Sequence, residues 1–333
     1  MSGGIPRRFE CAGMSLFADN LVLGAANAIL YVNHPGFVRR YRRDFGRLPN
    51  IANPQRYSER MLWRKLVDHN PQFVVFSDKL ASKDFLQRCC PELPVPRTLW
   101  VGRSADEIPD ELLRQDVLVK ANHGSGFNHH VRAGQCDRAA LRQKTDQWLN
   151  SVYGVKGGEW GYSKVEAKLF VEEAVGDAET DLIEFNVRAS HGKPILGSVM
   201  GKCKTPAQWA AYLDSDGVPT LGMHDPDGSP VKLLPKGLEV AEPYRRAVQF
   251  ARQISIGVDY ARFDFLWNGK ELFGGEITVY PAAGVRDPSN ALVNTAILTG
   301  WDLRQSHFLR SQHDGWTQLY ADALKRQWAR ETQ

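Results

Sequence analysis

Lys120 closes the strand-like run DVLVKAN, and the residues that follow, NHGSGFN, form a flexible turn rich in backbone N–H donors. A cation set beside a turn whose N–H groups can converge is an arrangement that cradles phosphate. The stretch is not a Walker A loop, since no GKS or GKT follows, and not a dinucleotide fingerprint, since GxGxxG is absent. With His123 where GxSxG requires glycine, Ser125 lacks the context of a nucleophile elbow. Taken alone, the stretch also reads as an ordinary hairpin whose lysine snorkels to water.

A second group lies downstream. Asp264 in ARFDF and Glu276 in GGEIT are twelve positions apart on two strand candidates joined by Asn268-Gly269, a hairpin turn signal, so the two acids could face one another. Paired carboxylates on a rigid hairpin suit Mg²⁺, which wants oxygen ligands and usually shares them with nucleotide phosphates. Thr278 keeps the same face by the period of two and offers a third oxygen. Polar residues on one hairpin face can simply meet water. These strands, however, are apolar around Phe263, Phe265, Phe273 and Ile277, and burying uncompensated acids is costly, so a metal or cation partner is expected. Arg262, on the same face, could hold a phosphate or a developing anion bidentately, or only neutralise Asp264. The acids of KLFVEEAV and DAETDLIEF could meet an adenine amino group and ribose hydroxyls, although acids at strand ends usually face water.

The elements that must position these groups fall into two grammars. Up to about residue 95 the pattern is helical: YSERMLWRKLVDHN opens on a Ser58 cap signal, and a second helix covers DKLASKDFLQRCC. Pro91, Pro94 and Pro96 then hand over to a strand around RTLWV. From Val117 short apolar runs alternate with turns, among them NHHVRA, LIEFNVRA, KPILGSVMG, ARFDFLWN and ELFGGEITVY. Helices are expected at about 137 to 152 and 243 to 256, and GWTQLYADALKRQWARE closes the chain. Residues 215–237, full of Gly and Pro, read as a loop-rich excursion, a flap or mobile connection. The class is α+β with antiparallel hairpins.

With 43% hydrophobic and 24% charged residues over 333 positions, the chain can bury a sizeable core. Met14 to Val32, broken by Asp19, Asn20 and Asn27, is too polar and short for a spanning helix and reads as an amphipathic helix, either buried, the favoured reading, or touching a membrane. Cys11, Cys89, Cys90, Cys136 and Cys203 show neither a disulfide framework nor zinc spacing, and a cytoplasmic home follows. The net charge of +4 is modest, but Arg39, Arg40, Arg42, Arg43 and Arg47 form a cluster that is either a solvated helix face or a site for an acidic glycan, a nucleotide-sugar or a lipid headgroup; nucleic acid is not expected.

Lys120 with NHGSG, VEEAV and RFDF…FGGEITVYPAAG together resemble the ATP-grasp fold, specifically its TupA-like branch, named for teichuronopeptide synthesis. PQRYSERMLWRKLVDHNPQF and SDKLASKDFL are similar to that branch too, so the likeness runs from about Pro54 to Pro288. It implies two α+β subdomains with antiparallel sheets clamping ATP: a helical region over 1–93, a small subdomain with the phosphate loop over 94–168, and a large one with the metal site and C-terminal helix over 169–333. By position, Lys79 and Lys120 would contact the phosphates and Gly124, Ser125 and Gly126 would cover them. Glu172, Glu173, Ala174 and Val175 would be the adenine hinge, and Glu179 or Asp181 would take the ribose. Asp264 and Glu276 would bind Mg²⁺, with Thr278 standing where many such enzymes have asparagine. From the similar D-alanine–D-alanine ligases, Arg262 and the amide near Ala282 would hold an oxyanion, with Ala282 where glycine is usual. Lys202 or Lys204 would be a further phosphate contact.

The implied activity is that of an ATP-dependent carboxylate–amine ligase working through an acyl phosphate, joining an amino acid or amino sugar to an acid in surface polysaccharide synthesis, in the cytoplasm or at the inner membrane face. The rivals are a phosphotransferase acting on a sugar-like hydroxyl, which needs no amine, and a non-catalytic glycan-binding relative.

Overall fold

The computed structural model describes residues 7–176, 182–203, 205–224 and 229–331. The chain divides into two units, one formed by residues 1–70, 282–288 and 302–333, the other by 71–281 and 289–301.

The first unit opens with α1 (Arg7–Asn33), α2 (Pro35–Phe45) and α3 (Tyr57–Leu66). The inward side of α1 carries buried Leu23 and Ala26 together with polar anchors. Asp19 is 2% exposed and takes ion pairs from Arg326 at 2.7 Å and from Arg330, while Asn27 Oδ1 accepts from the backbone N–H groups of Ile51 and Ala52 at 2.8 and 3.1 Å. Phe17, Leu21, Ile29 and Val32 are exposed, and only 17% of the window Leu16–Asn33 is buried. The expected burial therefore holds for one side only: Asp19 and Asn27 pack there beside Leu23 and Ala26, and the apolar residues of the other side are bare. Nor does Ser58 cap α3. It lies inside the first turn, its N–H donating to Asp287 at 2.8 Å, while Glu59 accepts from the N–H groups of Asn50, Gln55 and Arg56. On α2, Val38 and Tyr41 are buried and Arg39, Arg40, Arg42 and Arg43 are exposed.

The second unit begins with α4 (Gln72–Ser77) and α5 (Lys79–Cys89), the latter capped by Asp78, whose carboxylate accepts from the N–H groups of Leu80 and Ala81. Next come β1 (Thr98–Gly102), α6 (Asp110–Leu113), β2 (Val117–Ala121), β3 (Asn128–Val131), α7 (Arg138–Leu149) and β4 (Leu169–Glu173). The four strands make an antiparallel sheet in the order β1-β4-β2-β3, with Val117, Val119, Val131 and Val171 packed on Leu141 of α7.

The chain continues through β5 (Ile183–Ser190), β6 (Lys193–Gly201), β7 (Trp209–Leu213), β8 (Pro219–Gly222), α8 (Ala241–Ile254), β9 (Ala261–Trp267), β10 (Leu272–Thr278) and α9 (Ala291–Gly300). A six-stranded antiparallel sheet runs β10-β9-β5-β6-β7-β8. Alternation sorts its faces: Phe185, Val187, Phe263 and Phe265 share a core with Tyr244, Ala247, Phe250 and Ile254 of α8, leaving Asn186, Arg188, Arg262 and Asp264 on the opposite face. The excursion read as loop over 215–237 contains β8, paired with β7, because backbone pairing there outweighs its Gly and Pro content. The chain then returns to the first unit as α10 (His307–Arg310) and α11 (Gly315–Glu331), which packs on α1.

Candidate active site

The hairpin of β9 and β10 places its charged groups through a bulge. Gly274 pairs with Phe265 and Ile277 with Phe263, so Gly275 and Glu276 together oppose Asp264. Regular pairing would set Glu276 opposite Phe263, on the core face. The extra residue moves Glu276 to the other face, beside Asp264. The glycines permit it: a Cβ on Gly275 would lie 2.8 Å from the Asp264 carbonyl oxygen, and one on Gly274 would press on Leu86, Leu93 and Val95. The connecting loop is longer than the two-residue turn expected at Asn268-Gly269. Leu272 pairs with Trp267, and Asn268 Oδ1 accepts from the N–H groups of Lys270 and Glu271.

Asp264 sits at the centre of a polar cluster. Arg262 donates from Nε and Nη2 to its two oxygens at 2.6 and 2.7 Å, Asn186 Nδ2 donates at 2.9 Å from the neighbouring strand, and Thr278 Oγ1 donates at 3.2 Å. Burial alone would lower the Arg262 guanidinium, but Asp264, Glu276 and Glu184 outweigh it and hold it firmly protonated. Glu276 pairs with Lys79 Nζ at 2.6 Å. Loss of solvent around the group pushes the Glu276 carboxyl up, and Lys79, Lys120 and Arg262 overcome that push, holding it below the usual carboxylate range. Asn186 had no signal in the sequence beyond its place in LIEFNVRA; its register opposite Asp264 brings it in.

The other centre is Glu172, 2% exposed on β4, whose carboxylate lies between Lys120 of β2 and Lys83 of α5, the latter at 2.5 Å. Lys83 also donates to the Pro96 carbonyl at 2.7 Å. Burial pulls its ammonium below the usual lysine value, with Glu172 opposing. Lys83 escaped the sequence reading; one turn beyond Lys79 on the same helix, it shares Lys79's face, which was the available signal. Glu172, expected at an adenine hinge, thus has its side chain committed to two lysines, while Glu173 pairs with Arg97 at 3.4 Å and Val175 is buried.

The turn after Lys120 is tied to α5: Lys79 N–H donates to the Asn122 carbonyl at 3.0 Å, and Asn122 Nδ2 donates to Asp78 at 3.0 Å. Gly124 is buried, where a Cβ would strike the Phe127 ring at 2.5 Å; Ser125 and Gly126 are exposed, and Gly126 takes φ 78°. The structure therefore brings Lys79, Glu276, Arg262, Asp264 and Thr278 onto one sheet face, and Lys120 with Glu172 onto the smaller sheet. Lys202 is exposed in a left-handed turn (φ 51°) at the end of β6. Ala282 belongs to the first unit, where it and Ala283 take φ of 51° and 50°, a region that favours glycine. Glu179, Asp181 and Lys204 lie outside the described residues.

The donor set has a definite character. Among the described residues no three His, Cys, Asp or Glu side chains gather into a metal cluster. Two carboxylates with a hydroxyl beside them are hard oxygen donors, a set that fits Mg²⁺ sharing its coordination with phosphate and water and does not fit an all-protein cage.

Two antiparallel sheets, one bearing a glycine turn after a lysine and the other a carboxylate hairpin, define the ATP-grasp fold. The family model for TupA-like ATP-grasp proteins matches residues 59–296, and the chain belongs to that family. Among solved structures, the ATP-grasp ligase PsnB, complexed with a phosphomimetic variant of its minimal precursor, Mg and ADP, is similar at 14% identity, covering 81% of this chain and 67% of that one, with a TM-score of 0.37. The D-alanine–D-alanine ligase of Bacillus anthracis is similar at 16% identity over 78% and 70% of the two chains, TM-score 0.41, and the L-amino acid ligase of Bacillus licheniformis at 12% over 75% and 50%, TM-score 0.39. No curated protein matches.

Proposed function

We propose that this protein is an ADP-forming carboxylate–amine ligase, with ATP as a consumed substrate and Mg²⁺ as its metal. The observation that carries the reading is the set of Lys79, Glu276, Asp264, Thr278 and Arg262 on one face of a rigid sheet, two carboxylates held by cations where a phosphate-linked metal would sit. Lys79 and Lys120 would bind phosphate oxygens, Gly124 to Gly126 would cover them through backbone N–H groups, and the hinge from Glu172 to Val175 would receive the base. Asp264 and Glu276, with Thr278, would hold Mg²⁺, which when bound neutralises charge on the phosphates during transfer. In the reaction a substrate carboxylate oxygen bonds to the γ-phosphorus and ADP leaves. An amine nitrogen then bonds to the acyl carbon and phosphate leaves. Arg262, already protonated and locked in place, would stabilise the tetrahedral oxyanion.

The substrates we infer are an amino acid or amino sugar and a uronic or amino acid of a surface polysaccharide, in keeping with the family's link to teichuronopeptide synthesis. Hydroxylamine provides the test, because it intercepts an acyl phosphate as a hydroxamate. ATP-dependent hydroxamate from uronic or amino acids supports a ligase; a stable phosphate ester formed without any amine would replace it with the kinase reading.

We place the protein at an anionic membrane surface. Phe17, Leu21, Ile29 and Val32 line the bare side of α1, and the exposed arginines of the next helix supply complementary charge. Flotation with phosphatidylglycerol vesicles, lost in Phe17→Ser/Leu21→Ser, supports this. Binding to an acidic polysaccharide instead of vesicles would contradict it.

A further inference from the structure

Arg188 lies on the same sheet face as the hairpin cluster and takes no part in it. On β5 it is the register partner of Arg262 on β9, so the two Cα atoms are about 5 Å apart and the two guanidinium groups emerge on one face. Their situations differ. Arg262 has Nε and Nη2 paired with the two oxygens of Asp264, which leaves its Nη1 donors for a reacting group. Among the described residues, Arg188 has Nε and Nη1 buried with no hydrogen-bond partner. A guanidinium is always charged, and burying two of its donors unpaired carries a desolvation cost that folding alone gives no reason to accept. The cost is offset if a ligand anion completes the pair, and the planar fork of Nε and Nη suits a carboxylate.

Place in the sheet says which anion. In the order β10-β9-β5, Glu276 with Lys79 stands on the edge strand, Asp264 with Arg262 on the next, and Arg188 on the third, about 10 Å from β10 at the usual strand spacing. The groups suited to phosphate lie on the β10 side, and Arg188 lies across Arg262 from them. We propose that Arg188 is the anion subsite for the acid substrate, receiving a carboxylate of the molecule that is activated. The acid is then one that carries a carboxylate besides the reacting one. The inference rests on the ligase reading for the reaction but not for the anion site itself.

The test compares wild type with Arg188→Met, similar in length and uncharged, using malonate as probe and Mg·ATP as control. A structural arginine would make the variant less stable; an uncompensated one makes it as stable or more so, because the buried unpaired charge is gone. We expect an unchanged or higher Tm without ligand, malonate stabilising wild type, malonate affinity falling roughly tenfold or more in the variant, and Mg·ATP affinity unchanged. A Tm lowered by several degrees, a wild type that does not respond to malonate, or equal malonate binding in both proteins overturns the proposal. So does a variant that loses Mg·ATP and keeps malonate, which would assign Arg188 to the nucleotide. Failure of Mg·ATP to bind either protein, with malonate binding still dependent on Arg188, would refute the ligase reading while leaving the anion subsite in place.

Discussion

Lys79 Nζ lies 2.6 Å from Glu276 Oε1, joining the first residue of a helix to the bulged strand of a hairpin nearly two hundred residues away. The pair holds the Glu276 carboxyl below its ordinary value of 4.5, so it is ionised at neutral pH and ready to ligate a cation. Glu276→Gln is expected to lower Mg²⁺-dependent ADP release by about a hundredfold or more. Far-ultraviolet dichroism should stay unchanged, since Glu276 is 49% exposed and its pair with Lys79 is screened by solvent. Wild-type turnover in this variant would refute the metal assignment.

Glu172 compensates two lysines at once, and its removal leaves Lys83, 11% exposed, as a nearly buried ammonium without a counter-charge. Glu172→Gln should cost about 3–5 kcal/mol in urea unfolding, whereas Glu172→Gln combined with Lys83→Met should recover part of that loss. Equal destabilisation in the double variant would show that the lysine is not the strained partner.

Gly275→Ala tests the bulge. The added methyl would meet the Asp264 carbonyl oxygen at 2.8 Å, forcing apart the two strands that set the carboxylates side by side. A loss of about 1–3 kcal/mol is expected, with a larger proportional loss of activity than of folded protein. A variant of unchanged stability and rate would mean the hairpin tolerates a different register.

Asp19 supplies a pH signature in the first unit. Hydrogen bonds from Arg326, against the opposing effect of burial and with Arg330 assisting, hold its carboxyl below the ordinary 3.8. A depressed carboxylate stabilises the fold above its unfolded value and loses that contribution as pH falls through its folded one. Asp19→Asn should therefore cost about 1–3 kcal/mol at neutral pH, less than a fully buried pair because Arg326 is half exposed, and the difference from wild type should shrink below about pH 4. A penalty that is constant with pH would indicate lost packing in place of lost charge.

Much of the site was readable because strand alternation is local. RFDF places Arg262 and Asp264 on one face and Phe263 and Phe265 on the other, as found. That Glu276 faces Asp264 was legible too, but for an incomplete reason: the spacing looked like a plain hairpin, while the structure uses a wider loop and a glycine bulge that together restore the facing pair. The helix α1 misled because its polar residues looked like interruptions. The partners of Asp19, Arg326 and Arg330, lie about three hundred residues away, and nothing in GWTQLYADALKRQWARE announces that contact. Lys83 and Asn186 escaped for the same cause, since each acquires its role only when another element is laid beside it.

Calorimetric titration of Mg·ATP into wild type and Lys120→Ala shows whether the lysine and its glycine turn form a nucleotide site. Mg²⁺-dependent binding to wild type is expected, with affinity lower by roughly tenfold or more in the variant, Lys83 left to hold Glu172 and the fold retained. Absence of Mg·ATP binding in wild type, or equal affinity in both proteins, would contradict that assignment.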